Sequence, residues 1–307
     1  AIGPKGGYII SSGMLRGLTT FLGAAIVVAL AGGCSGRQPD AAAPVATPSV
    51  TLSRSDAAVG SPIDVTYRFA VREGASAVTG DYVVFVHFLD SDGEQMWTDD
   101  HAPPTPTSQW KAGDTIEYSR TIFIPKFPYA GPARGEVGPY ARQSGERLPR
   151  AGDDTGMRAY RVASFNMTRQ ADNLFVVFKD GWHDTEVSDD GSLEWQWSTA
   201  EGVIAFRNPK RDVTAYLQVD QPVAALGRPQ QVQVRIGETV VDSFTLPPSQ
   251  AELRRFPITA QQLGSADTVE MKVVVDRTFV PATIPALKSG DPRELGVRVF
   301  RAYIDPR

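Results

Sequence analysis

Cysteine is all but missing from this chain: Cys34 is the only one in 307 residues. A single thiol, lipidated or not, closes no disulfide within the chain and builds no multi-cysteine metal site, so stability must come from buried apolar cores. Histidine is scarce too. His87, His101 and His183 are the only three, and none falls in H-E-x-x-H or another spacing that puts two ligands on one helix face, which argues against a catalytic zinc. The sequence also lacks G-x-S-x-G, G-x-x-x-x-G-K-[ST] and a G-x-G-x-x-G following a strand, which leaves acyl transfer, nucleotide and dinucleotide chemistry without support. A basic excess is absent: 31 Lys and Arg face 35 Asp and Glu. Nucleic acid is therefore excluded as the expected partner.

The chain has no apolar run of the roughly 20 residues that a membrane-crossing helix needs. Its longest such run, Leu18 to Ala31, has 14. It follows Met14 and Arg16 and ends in Gly32-Gly33-Cys34, the order of a basic region, an apolar region and small residues that marks a cleaved export signal. Residues 1–13 precede that first methionine and read as an upstream extension. Removing Lys5 and Arg16 with the leader leaves 29 basic against 35 acidic side chains, a net charge of −6. The ending Leu30-Ala31-Gly32-Gly33-Cys34 resembles the bacterial lipobox, with Ala31 where leucine is usual. That resemblance implies lipidation of Cys34 and a membrane-anchored protein facing the periplasm or the cell surface. The alternative is an ordinary secretory signal beside an incidental cysteine.

Residues 34–49 are small, polar and broken by Pro39, Pro44 and Pro48, which predicts a flexible linker reaching roughly 45 Å at about 3 Å per residue. Beyond it, 28 Gly and 23 Pro favour turn-rich β structure over a helical bundle. Period-two alternation at Ile63, Val65, Tyr67, Phe69 and Val71 predicts a half-buried strand. Tyr82–Asp90 and Gln95–Thr98, joined by Ser91-Asp92-Gly93-Glu94, predict a hairpin, and Ile116–Ile124, Ala133–Tyr140 and Met157–Val162 continue the pattern. The expectation is all-β: an immunoglobulin-like sandwich over 50–165 and a jelly-roll-like sandwich of eight or nine strands over 166–307. The second begins with Leu174–Phe178 and runs through Glu194–Ser198, Val213–Val219, Val269–Val275 and Leu295–Ile304. One helical turn is expected at Ala260–Gly264.

Candidate chemistry is thin. His87, Met96 and His101 lie close in sequence and would suit a copper site, against a reading as ordinary packed histidines. Asp189-Asp190-Gly191 is either a turn or a structural calcium loop; no other cofactor is expected. Glu186 and Glu194 are the carboxylate pair that a glycosidase would require. Trp182 to Trp197 holds three of the five tryptophans among acidic residues. Trp195 and Trp197 share one face of a strand, which is either sandwich core or a platform for sugar rings.

Gly181-Trp182-His183-x-x-Glu186, Trp195-x-Trp197, Asn208-Pro209, Asp276-Arg277-Thr278-Phe279-x-Pro281 and Asp291-x-Arg293-Glu294-Leu295-Gly296 resemble a jelly-roll module of bacterial envelope proteins, also appended to membrane glycosyltransferases. The resemblance covers residues 173–306, under half of the chain, and transfers no catalytic residue. It implies association with carbohydrate or an envelope polymer, with Trp182, His183, Glu186, Arg277 and Arg293 either facing the ligand or clamping the fold. The reading that follows is a non-catalytic envelope lipoprotein that binds a glycan or an envelope protein through its second sandwich. A structural assembly protein without a sugar site, and an enzyme acting on envelope polysaccharide, are the alternatives.

Overall fold

A computed structural model describes residues 44–307 apart from 126–127, 150, 157, 170–175, 192, 222–225 and 247–250, and apart from the side chain of Asp153. The expected signal peptide, Cys34 and most of the expected linker lie outside the described residues, as do Leu174 and Phe175. Among the described residues no helix is long and apolar enough to cross a membrane.

Strands dominate because apolar residues recur at every second position. The first sandwich comprises β1 (Ala46–Leu52), β2 (Asp56–Ala58), β3 (Pro62–Val71), β4 (Val83–Leu89), β5 (Gln95–Thr98), β6 (Thr115–Phe123), β7 (Gly131–Tyr140), β8 (Asp153–Gly156) and β9 (Ala159–Thr168). A three-stranded sheet, β1-β3-β6, and a six-stranded sheet, β2-β9-β7-β4-β5 with β8 on β9, enclose one core. In β3 the alternation holds as expected: Ile63, Val65, Tyr67, Phe69 and Val71 are buried between half-buried or exposed Asp64, Thr66, Arg68 and Ala70. The β4–β5 hairpin forms in the expected place.

The expected linker ends earlier than Ser49. Ala46, Pro48, Val50 and Leu52 also alternate, and they pair as β1 along β3 with Ala46 fully buried. Pro48 is tolerated because β1 is an edge strand, where a missing N–H faces no partner. At the other end, β9 runs on to Thr168 and pairs Asn166 with Asp56, so residues 166–168 belong to the first sandwich, contrary to the expected boundary. Of the expected strand Met157–Val162, Met157 lies outside the described residues and the strand is seen from Ala159, after Arg158 in a left-handed turn conformation.

The second sandwich comprises β10 (Val176–Phe178), β11 (Glu186–Val187), β12 (Glu194–Trp197), β13 (Glu201–Arg207), β14 (Val213–Asp220), β15 (Gln231–Ile236), β16 (Thr239–Thr245), β17 (Glu252–Ile258), β18 (Thr268–Val275) and β19 (Arg298–Pro306). Two five-stranded sheets, β10-β13-β18-β15-β16 and β11-β12-β19-β14-β17, face each other over a core that includes Ile204, Leu217, Val234, Met271 and Val297. The short helix α1 (Ala260–Leu263) is fixed by a capping box between Thr259 and Gln262 and ends at Gly264. The fold is thus all-β, two tandem β-sandwiches.

The sandwiches touch along the outer face of β14 and β19. Phe123, at the end of β6, meets Tyr216 and Tyr303 edge-on at ring distances of 6.1 and 6.4 Å. Arg54 pairs with Asp305 at 2.8 Å and Arg255 with Asp64 at 2.9 Å across the same junction.

Candidate functional site

Register decides which side chains can meet a ligand. Gln196 pairs with Val299 and Trp197 with Arg298, and Val299 is buried in the main core. Period two therefore turns Trp195, Trp197, Arg298 and Phe300 outward, away from the core. A bulge opposite Gln218 and Val219 inserts Phe300 into β19, so that Arg301 and Tyr303 also stay on the outer face.

A strap then folds over part of that face. It leaves β18 at Asp276, makes two short 3-10 turns, Pro281–Thr283 and Pro285–Leu287, and returns through a Phe279–Leu295 bridge into β19. Phe279 and Leu295 bury Trp197 in a small separate core, with Trp195, Ile284 and Leu287 at its rim. The two tryptophans thus divide the alternatives: Trp197 is 8% exposed and structural, whereas Trp195 remains half-buried at the edge.

Polar pairs frame Trp195. Its indole N–H donates to Glu186 Oε2 at 3.0 Å, and Arg293 Nη2 donates to Glu186 Oε1 at 2.7 Å. Arg293 also grips Asp291, with Nη2 2.6 Å from Oδ2, which holds the Asp291 carboxyl down at about 2 and keeps the guanidinium more basic than usual. On the other side, Arg298 donates through Nε and Nη2 to both oxygens of Asp220. The Arg298 guanidinium lies 5.1, 5.4 and 4.9 Å from the ring centres of Trp195, Trp197 and Phe300. Such a surface offers ring area together with paired donors and acceptors, the combination that a polyhydroxyl ligand needs.

Of the five residues singled out in the sequence, His183, Glu186 and Arg293 come together at the returning end of the strap, where His183 Nε2 donates to the Glu294 carbonyl at 2.8 Å. Trp182 does not join them. Its indole N–H donates to the Val203 carbonyl at 2.9 Å, its ring meets Phe178 edge-on at 4.8 Å, and a Cβ on Gly202 would lie 2.5 Å from it. Arg277 braces the root of the strap, donating to Asp276 at 2.8 Å and to the Leu226 carbonyl at 3.4 Å. Arg298, Phe300 and Asp220 escaped the sequence reading, because they reach Trp195 only through the long-range pairing of β12 with β19 and of β19 with β14, which no local pattern encodes.

Other expectations come apart in three dimensions. Glu186 pairs with Trp195 and Glu194 with Val187, so the two carboxylates leave opposite faces of the β11–β12 hairpin and do not form a glycosidase pair. His101 spends both ring nitrogens on the protein: Nδ1 donates to the Asp99 carbonyl and Nε2 meets the Tyr118 hydroxyl at 2.8 Å, while burial lowers its pKa and keeps the ring neutral. His101 is thus a packed histidine, not a copper ligand with Met96. Asp189-Asp190-Gly191 closes a turn in which Ser188 donates to Asp190. Among the described residues no group of three or more His, Cys, Asp or Glu side chains is placed to hold a metal ion.

No protein-family model matches the chain, and no curated protein matches it in sequence. Solved structures similar to it include the C-terminal CBM6 of LamC from Zobellia galactanivorans, at 11% identity and a TM-score of 0.26, covering 43% of this chain and 99% of that one. The CBM51-2 and INT domains of Clostridium perfringens ZmpB in complex with GlcNAc align at 11% identity and a TM-score of 0.25, over 84% of this chain and 40% of that one. A Bacteroides uniformis beta-glucuronidase aligns at 11% identity and a TM-score of 0.28, over 85% and 30%. The chain spans less than half the length of the latter two, and likenesses this remote carry no argument about it.

Proposed function

We propose that this chain is an exported envelope protein, tethered to a membrane through lipid on Cys34, that binds carbohydrate without transforming it. The observation that carries the binding reading is the half-buried Trp195 beside Phe300 on the outer face of β12 and β19, with the Glu186–Arg293 and Asp220–Arg298 pairs at its edges. A sugar ring stacks on such an indole while its hydroxyls exchange hydrogen bonds with guanidinium donors and carboxylate acceptors. The ligand-facing set thus becomes Glu186, Trp195, Arg293 and Arg298, with Trp182 and Arg277 holding the framework.

The tether reading rests on the lipobox-like Leu30-Ala31-Gly32-Gly33-Cys34. Two experiments test the proposal. Metabolic labelling with a fatty acid should mark the expressed chain and not Cys34→Ser; equal labelling of both overturns the tether. A glycan array should show saturable retention of the chain that Trp195→Ala loses. Retention of no glycan, with capture of an envelope protein instead, favours the assembly role.

A further inference from the structure

The junction between the sandwiches holds a cleft of about 490 Å³, lined among others by Arg54, Asp64, Tyr216, Arg255, Asp305 and Arg307. That is within the roughly 300–1,000 Å³ of small-ligand sites, which favour domain interfaces. None of these residues belongs to the Trp195 surface.

A donor and acceptor inventory shows what the cleft lacks. Asp64 accepts from Thr121 Oγ1 on one oxygen and from Arg255 on the other; Asp56 accepts from Ser55 and from the Asn166 amide; Asp305 accepts from Arg54. Five of the six carboxylate oxygens therefore already take a donor. The cations are in the opposite condition. Arg54 commits Nη2, Arg255 commits Nη1 and Arg307 commits Nε, the last to the Thr214 hydroxyl and not to a carboxylate. A guanidinium carries five N–H donors, so most of theirs stay free.

Tyr216 adds a neutral donor to the lining: its ring is buried, while its hydroxyl, which is not among the buried unpartnered atoms and so reaches the open cleft, makes no hydrogen bond among the described residues. Burial raises its pKa, so it remains a neutral donor at physiological pH. In the lining Arg54, Arg255 and Arg307 match Asp56, Asp64 and Asp305 in number, and Arg301, 5.2 Å over the Phe123 ring and outside that lining, adds a cation nearby.

We propose that the cleft between the two sandwiches is a second binding site, and that it takes an oxyanion borne on a small polar ligand: a carboxylate or a phosphate group. Arg307, Arg255 and Arg54 donate to its oxygens and the Tyr216 hydroxyl completes the shell, because charge-assisted donors in this number suit an acceptor-rich group and not a neutral hydroxyl. Glycan binding at Trp195 neither requires nor implies this site.

Calorimetric titration of the full chain with D-glucuronate, glucose 6-phosphate and glucose tests it. The site predicts saturable binding of at least one anion, at least tenfold tighter than glucose, and the anion preferred identifies the carboxylate or the phosphate source. Arg307→Gln should weaken that binding at least tenfold. Tyr216→Phe, which keeps the ring packed under Phe123, should weaken it severalfold, and Trp195→Ala should leave it unchanged. The proposal is overturned if neither anion saturates below about 10 mM, if glucose binds equally well, or if Arg307→Gln and Tyr216→Phe, each folded by circular dichroism, bind as the parent does.

Discussion

Asp291 is a single carboxylate whose ionisation the fold exploits. Arg293 holds its pKa near 2, below the usual aspartate range, so the native state binds its proton less readily than the unfolded chain does. Stability from this contact is therefore present above about pH 4, the unfolded value, and is lost as pH falls toward 2. Asp291→Asn should lower the thermal midpoint at pH 7, and the gap between variant and parent should close as pH approaches 2; a gap independent of pH contradicts the assignment. Glycine at 202 is set by sterics. A Cβ there would lie 2.5 Å from the Trp182 ring, whose indole is fixed to the Val203 carbonyl. Gly202→Ala should cost roughly 1–3 kcal/mol by overpacking, read as a lower midpoint in denaturant. Residues of this kind were only partly legible. The sequence places Trp182, Glu186 and Arg293 in suggestive motifs, but whether a tryptophan is wedge or platform depends on a glycine twenty positions away.

Elements were legible where the period was regular and illegible where it broke. Ile63 to Val71 announces β3, and Ala260 to Gly264, with the glycine as its stop, announces α1. The bulge opposite Gln218 and Val219, by contrast, puts Arg298, Phe300 and Arg301 on one face, and pattern reading assigns consecutive residues to opposite faces. The strap from Asp276 to Leu295 is likewise irregular, held to the sheet by the small core of Trp197, Phe279 and Leu295. Phe279→Ala should cost about 3 kcal/mol or more of local packing. The expected outcome is faster amide exchange over residues 279–295 with little change in β13 and β14; uniform acceleration across the second sandwich would show that the strap is part of the main folding unit.

At the scale of the molecule, the two sandwiches meet through residues from distant parts of the chain: Arg54 with Asp305, Asp64 with Arg255, and Phe123 with Tyr216 and Tyr303. No local pattern encodes such a junction, which is why two sandwiches were foreseen and the cleft between them was not. The half-exposed ion pairs contribute little each, about 0–1 kcal/mol. The outer face of β12 and β19 is where the sequence motifs, the register and the aromatic side chains converge, and the account stands or falls there. The direct test is a calorimetric titration of the full chain and of Trp195→Ala with the glycan that the array selects. The account predicts that Trp195→Ala keeps the parent's thermal midpoint within a few degrees and binds about tenfold or more weakly, the loss of a central aromatic contact; equal affinity in the folded variant would contradict it.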